Sequence, residues 1–392
     1  MKRVLKIAVA VIITALLGYV LVTHSAAIRR NLAERDSIAY WTAGRLLIHH
    51  QNPYDAARVL ELERQQGYGE NKPLVLRTPP WSVLLVLPLG LLNPFGAWIL
   101  WTAISVACML VAMRLCWKFY GDDTTPRNLF TLLGYCFAPV PACLVAGQMG
   151  LVLLLGLILF LWWESERPFL AGAALILPFA KPHLLALFWF ALFFWVVVRK
   201  KCEIAIGFTV ALIAASGLAL LLDPHIFQHY HEMLYQASIG YEFIPALSGV
   251  FRLLFFRREF WVQFIPMTIG LLWCAWFLIR NQRNWNWRRH GPALLVVSVV
   301  TTPYAWLTDE VVLLPAILQA AVFVYQTRAH MKVGSRFVLL TFALLDGLLL
   351  LILKSKIPFA TGIYFWSSLV WFSWYLYGWK RFAALENMNP IS

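Results

Sequence analysis

Charged side chains are what this sequence has least of. They make up 13% of its 392 residues, against roughly 25% in a soluble domain of ordinary composition. With 61% of the residues hydrophobic, too little polar surface remains to cover a solvated globule. Cysteine is sparse and unpaired. The six residues at 108, 116, 136, 143, 202 and 274 show no C-x-x-C spacing, which argues against a disulfide framework and a cysteine zinc site. Five of them sit inside apolar blocks, where a small polarisable side chain packs. A glycine-rich phosphate loop is missing, as are low-complexity linkers and internal repeats, and the chain reads as one domain over residues 1–392.

What is present is a succession of long apolar blocks without the alternation of a barrel strand. In hydrocarbon only helices and closed barrels satisfy every backbone group, so the blocks predict an all-α integral membrane protein. The chain starts Met1-Lys2-Arg3, with Lys6, and runs apolar to Val22; with no small-residue cleavage site, it reads as an uncleaved first helix. Further blocks at 95–117, 129–146, 150–163, 168–181, 183–199, 204–222, 260–280, 291–303, 309–326, 337–354 and 359–378 bring the expectation to about twelve spans. Several are shorter than the roughly 20 residues a full span needs, which predicts tilted or broken helices beside a cavity.

The net charge of +14 is spread over short loops and so points to membrane anchoring and away from nucleic acid. Arg114, Lys118 and Arg127, the run Arg199 to Lys201, the arginines 280, 283, 288 and 289, then Arg328, Lys332 and Arg336, and finally Lys380 and Arg381 fall on one side of the count. The positive-inside bias makes that side the cytoplasm, with both termini there and the protein multi-pass in the cytoplasmic (inner) membrane. Residues 25–78, carrying eight Lys/Arg and six Asp/Glu, form an extracytoplasmic loop with juxtamembrane amphipathic helices. The short apolar segment 79–92 fits a re-entrant half-helix better than a span, because a span there would invert the later basic loops.

The uncommon polar residues gather on the outer side, each with two readings. Asp36, beside Tyr40 and Trp41, is either a general base whose pKa burial raises, or a helix-capping carboxylate. Asn52-Pro53-Tyr54 closes a short helix carrying Arg45, and a plain turn accounts for it. Arg77 ahead of Pro79-Pro80 suits an anion at a helix start or snorkels to the interface. Gly147-Gln148 joins Lys181-Pro182-His183; Lys181 lies between two apolar runs, a costly position that makes it a functional candidate. Around Tyr304, Asp309 and Glu310 bind acceptor hydroxyls, pair with a cation, or are ordinary loop carboxylates. Asp223, His225, His229 and His231 lack a second carboxylate at ligand spacing, so no metal is expected.

In order along the chain, Asp36 with Tyr40-Trp41, Asn52-Pro53-Tyr54-Asp55, Pro79-Pro80, Gly147-Gln148, Lys181-Pro182 and Thr302-Pro303-Tyr304-Ala305-Trp306 resemble glycosyltransferase family 87, the polyprenol-phosphate-mannose-dependent mannosyltransferases of the GT-C superfamily. The resemblance runs from residue 1 to about 326. It implies a GT-C-like bundle, an inverting hexosyl transfer outside the cytoplasmic membrane, Asp36 as base and Lys181 against the donor phosphate. Roles in substrate binding for Arg77, Gln148 and Tyr304 follow from motif position, with Arg45, Asn52, Tyr54, His183 and Asp309 as further substrate-binding candidates. Some members carry a His in the turn where this chain has Tyr304 or Asp309, which leaves acceptor specificity open. The implied partners are a polyprenyl-phosphate sugar donor, a glycolipid or polysaccharide acceptor and the lipid bilayer, with no cofactor. The residue types agree, since a lipid monophosphate is a good leaving group and the reaction needs a base and cations but no strong acid. The rival from another class is a transporter or flippase of a lipid-linked polar substrate, whose paired repeats are not found here. A lipid-linked polymerase or ligase is a second rival, and its large outer loop belongs late in the chain.

Overall fold

A computed structural model describes residues 32–122, 125–237, 244–327, 333–355 and 364–388. The expected first helix, residues 1–22, and the start of the first loop lie outside these. Every regular element among the described residues is a helix. The first loop supplies α1 (Asp36–Ile48) and α2 (Ala56–Gln65), followed by a 3₁₀ turn (Pro80–Leu85) and the short α3 (Leu87–Gly90). Then come α4 (Pro94–Tyr120), α5 (Arg127–Cys136), α6 (Pro139–Ala146), α7 (Gly150–Trp163), α8 (Pro168–Ala174), α9 (Ala186–Arg199) and α10 (Cys202–Leu222). The smaller α11 (Ile226–Gln236) and α12 (Leu247–Phe255) precede α13 (Ile265–Asn281), α14 (Trp287–Thr301), α15 (Leu314–Gln326), α16 (Val333–Lys354) and α17 (Ser367–Met388).

Among the described residues five helical stretches are long and apolar enough to cross a membrane, or six if the bent pair α5–α6 is one span. The expected number of about twelve depends on apolar blocks that fold into shorter pieces, such as the 14 residues of α7. Proline explains much of the breaking. Pro139 opens α6 at a bend of 46° from α5, and the N–H of Ala138 that the bend frees donates to the Asp346 carboxylate of α16 at 2.9 Å. A backbone group at this depth must find a protein partner, and Asp346 supplies it. The segment 79–92 is a 3₁₀ turn plus one helical turn, too short for about 30 Å of hydrocarbon.

The helices run between a basic end and an opposite end. At the basic end Arg199 donates to the carbonyls of Gln282 (2.7 Å) and Arg283 (3.0 Å). Arg288 donates to the carbonyl of Leu161 at 3.0 Å and lies over the Phe119 ring, while Lys118 lies over Trp162. These contacts tie the ends of α4, α7, α9, α13 and α14 together, and a helix such as α14 then carries its far end about 20 Å away.

Backbone contact through glycine closes the bundle. A Cβ on Gly172 of α8 would lie 2.0 Å from the carbonyl oxygen of Ile204, and one on Gly207 of α10 would lie 2.0 Å from that of Phe169. Small residues let membrane helices touch at this distance, where dispersion replaces the absent hydrophobic drive. Gly44 of α1 and Gly90 of α3 are equally close, with a Cβ on Gly90 2.2 Å from the Gly44 carbonyl carbon. Trp41 seals this contact by donating to the carbonyl of Leu92 at 3.0 Å.

The amphipathic pattern expected of the loop helices describes α2, where Val59 and Glu63 alone are buried. It does not describe α1, which buries ten of its 13 residues because α3, α4 and the loop enclose it on all sides. Glu63 is fully buried and accepts the N–H of Leu74 through both oxygens at 3.2 Å. Burial pushes its carboxyl up to about 7.

Gly207→Leu is expected to lower thermal stability by about 2 kcal/mol or more, the cost of overpacking a backbone contact. Gly217, on the same helix with open space around it, is the control: Gly217→Leu should leave the melting temperature in detergent unchanged. For Glu63, a carboxyl raised in the folded state favours folding at acid pH, an advantage lost as pH climbs from the ordinary glutamate range through about 7. Glu63→Gln should therefore outlast the wild type at pH 8, by up to about 3 kcal/mol, and match it at pH 5. Equal melting shifts at both pH values would show that Glu63 does not titrate in this way.

Candidate functional site

At the end opposite the basic loops, three helix-to-helix breaks and the start of α1 converge. Asp36 occupies the first turn of α1, where the helix dipole favours a carboxylate. The break between α6 and α7 is Gly147-Gln148-Met149. Gly147 has φ +72°, and a Cβ there would stand 2.8 Å from the Ser37 side chain, so glycine lets this apex close onto α1. Trp101 of α4 holds the apex by donating to the Gly147 carbonyl at 2.8 Å. The N–H of Gln148 returns to the carbonyl of Cys143 at 3.0 Å, a helix-terminating turn that aims the Gln148 side chain inward.

Lys181 forms the second apex, between the 3₁₀ turns Pro178–Ala180 and Pro182–Leu185. Residues 302–306 form the third and lead into the 3₁₀ turn Leu307–Leu313. Its carbonyls are taken by Ser248 (to Thr302, 2.8 Å) and Gln263 (to Pro303, 2.7 Å). Asp309 caps this turn, its Oδ2 accepting the N–H of Trp306 at 3.1 Å.

The side chains join across these apices. Lys181 Nζ donates to Asp309 Oδ1 at 2.6 Å; the Lys181 side chain is 12% exposed and that of Asp309 1%. Nζ also lies 3.3 Å from Gln148 Oε1, which accepts from the Tyr40 hydroxyl at 3.1 Å as well. That hydroxyl in turn accepts the N–H of Met149 at 3.2 Å. Gln148 Nε2 donates to Asp36 Oδ2 at 2.7 Å. Asp36 remains partly exposed, and its second oxygen has no hydrogen-bond partner among the described residues. Burial raises the Asp36 carboxyl above the ordinary aspartate range; the Gln148 hydrogen bond and the Lys181 charge pull it back, while Asp309 raises it further. The arrangement presents one reachable carboxylate oxygen beside a neutralised, buried ion pair, which is what proton abstraction from a bound hydroxyl needs.

Of the residues singled out from the sequence, Asp36, Gln148, Lys181 and Asp309 meet here. His183 and Tyr304 adjoin them with rings edge to face at 5.5 Å, and His183 Nε2 is buried without a hydrogen-bond partner among the described residues. Arg45 lies nine residues along α1 from Asp36, on the opposite face by helical geometry, and donates to the carbonyl of Gly90 at 3.3 Å. Asn52 accepts the N–H of Tyr54 at 2.8 Å, the expected turn. Tyr54 is buried, donates to the carbonyl of Thr78 at 3.0 Å and packs on Tyr230, so it braces the loop. Arg77 is half-buried immediately ahead of Thr78.

Of the neighbours Asp309 and Glu310, the one named as a candidate, Asp309, joins the cluster, and Glu310 does not. Glu310 turns away to accept from Ser367 and Trp371, both at 2.7 Å. Asp223 is occupied by His229 Nδ1 at 2.7 Å and the N–H of His225 at 3.0 Å. No group of three or more potential metal ligands occurs among the described residues. Tyr40 was given no role from sequence, although it follows Asp36 by four residues, the spacing that stacks side chains on one helix face.

The family model described as glycosyltransferase family 87 matches residues 78–352. That span includes Gln148, Lys181 and Asp309 and leaves out Asp36 and Tyr40. No curated protein and no solved structure matches the chain.

Breaking the ion pair strands a buried charge, which costs about 3–5 kcal/mol. Lys181→Met and Asp309→Leu should each lower the melting temperature strongly, while the double variant recovers most of the loss. Additive losses in the double variant would mean that the two charges do not depend on each other.

Proposed function

The chain belongs to glycosyltransferase family 87, and on that premise we propose that it transfers a hexose, mannose by family default, from a polyprenyl-phosphate donor to a hydroxyl of a glycolipid or polysaccharide. The single observation that carries this reading is Asp36, with one oxygen held by Gln148 at 2.7 Å and the other open to a substrate. In the proposed reaction the acceptor hydroxyl approaches the anomeric carbon from the face opposite the phosphate. As the new C–O bond forms, the bond to the phosphate oxygen breaks, inverting the anomeric centre. The hydroxyl proton passes to the open oxygen of Asp36.

The leaving group is a lipid phosphate, stable as an anion, so no general acid is required at the departing oxygen. Lys181 spends one N–H on Asp309 and a longer one on Gln148, and its ammonium retains a third donor for the phosphate. His183 and Tyr304 border the same space and are assigned to substrate contact. A monophosphate donor makes a divalent metal unnecessary in this scheme, in contrast to a pyrophosphate. The bias of the basic loops, gathered at the end away from Asp36, supports an extracytoplasmic site in a cytoplasmic membrane. Nothing found favours the transporter reading.

The test is sugar transfer by purified protein in nanodiscs, from a synthetic short-chain polyprenyl-phosphate mannose to a panel of glycolipid acceptors. Asp36→Asn should lower turnover by about 10²- to 10⁴-fold, the usual contribution of a general base, and leave donor binding intact. Undiminished turnover in that variant would remove Asp36 from the role. No turnover with any donor, together with lipid translocation in liposomes, would replace the transferase with a transporter.

A further inference from the structure

Gln148 stands at the centre of the polar cluster, and its amide can be oriented in only one way. The Lys181 ammonium has donors and no acceptor, so the amide atom 3.3 Å from it must be the oxygen. The Tyr40 hydroxyl, which accepts from the Met149 N–H, has its own proton left for the same oxygen. The NH₂ group therefore faces Asp36 Oδ2, and a donor so placed favours the ionised carboxylate over the acid.

We infer that Gln148 is the positioning residue for the base: it clamps one oxygen of Asp36, links it to the Lys181–Asp309 pair, and leaves the second oxygen aimed at the acceptor hydroxyl. The assignment rests on Asp36 serving as base. Gln148 then acts through Asp36 and not on the sugar. Its backbone is fixed for this by the Cys143 carbonyl, by Gly147 against Ser37 and by Trp101. The charged or titratable groups facing Asp36 are Lys181 and Asp309 from the apices, Tyr40 on its own helix and Tyr68 from the chain after α2, with Glu34 and Arg35 preceding it. Among the residues facing it, Gln148 is the one whose side chain hydrogen-bonds the carboxylate.

Gln148→Glu keeps the size and both acceptor contacts but sets a carboxylate against Asp36 where the amide donated. Two carboxylates at hydrogen-bond distance hold a proton between them. Gln148→Met removes the donor and introduces no new charge. In both variants the acid limb of the kcat/KM profile for sugar transfer should move to higher pH by about one unit or more, with donor KM within about twofold of wild type. A uniform fall in rate across pH, with the limb unmoved, would reduce Gln148 to packing and overturn the proposal. Infrared difference spectra provide a readout that does not need turnover, with the Asp36 carboxyl band assigned by its loss in Asp36→Asn. In Gln148→Met that band should persist to higher pH than in wild type; an unmoved band overturns the clamp. If the wild-type protein transfers no sugar while the band still moves, the transferase reading falls and the clamp on Asp36 stands.

Discussion

Lys181 and Asp309 meet at 2.6 Å with Asp309 almost wholly enclosed, and neither charge is tolerable alone at such a place. The two residues lie 128 positions apart, on apices of different helical hairpins. Their pairing therefore demands that the break at Lys181 and the break at 302–306 reach the same depth and face each other. Once they do, the free donor capacity of Lys181 falls on Gln148, and Gln148 falls on Asp36. The candidate site is in this sense a consequence of satisfying one buried ion pair.

The apices are irregular backbone, which a bilayer does not accept unless protein or a water-filled cavity covers it. Here named side chains meet several of the groups these breaks free: Trp101 for the Gly147 carbonyl, Ser248 for Thr302, Gln263 for Pro303 and Asp309 for the N–H of Trp306. Rigidity comes from contacts in which helices touch backbone to backbone. The Gly44–Gly90 contact holds α1 against the 79–92 segment, and so fixes the helix whose first turn bears Asp36. The contact of Gly172 with Ile204 and of Gly207 with Phe169 does the same for the segment that leads to Lys181. Function is thus supported by positions that carry no chemistry of their own.

Much of the site was legible before the fold was known, for reasons specific to each residue. Lys181 stood out because a cation between apolar runs is costly, and Gln148 by its position in the Gly147-Gln148 motif. Asp36 was visible as a carboxylate following the first apolar run. Arg45 and Tyr54 were drawn into the same group by their place in the first loop. Helical geometry puts Arg45 on the far face of α1, and Tyr54 spends its hydroxyl on the carbonyl of Thr78. Asp309 was named ahead of Glu310 by its motif position, and the physical ground for the choice is tertiary, since adjacent residues in a tight turn point to different sides and only their partners tell them apart.

Composition and hydropathy determined the membrane class and the helical secondary structure by themselves, because hydrocarbon leaves a chain so few ways to pair its backbone. The distribution of lysine and arginine separated a basic end from a polar one for the same kind of reason, since charge is costly to move across a bilayer. Which polar residues touch was decided by tertiary structure alone. Contacts across 108 to 128 residues depend on where helices break and how closely glycine lets them approach, and neither quantity is a property of any local stretch of sequence.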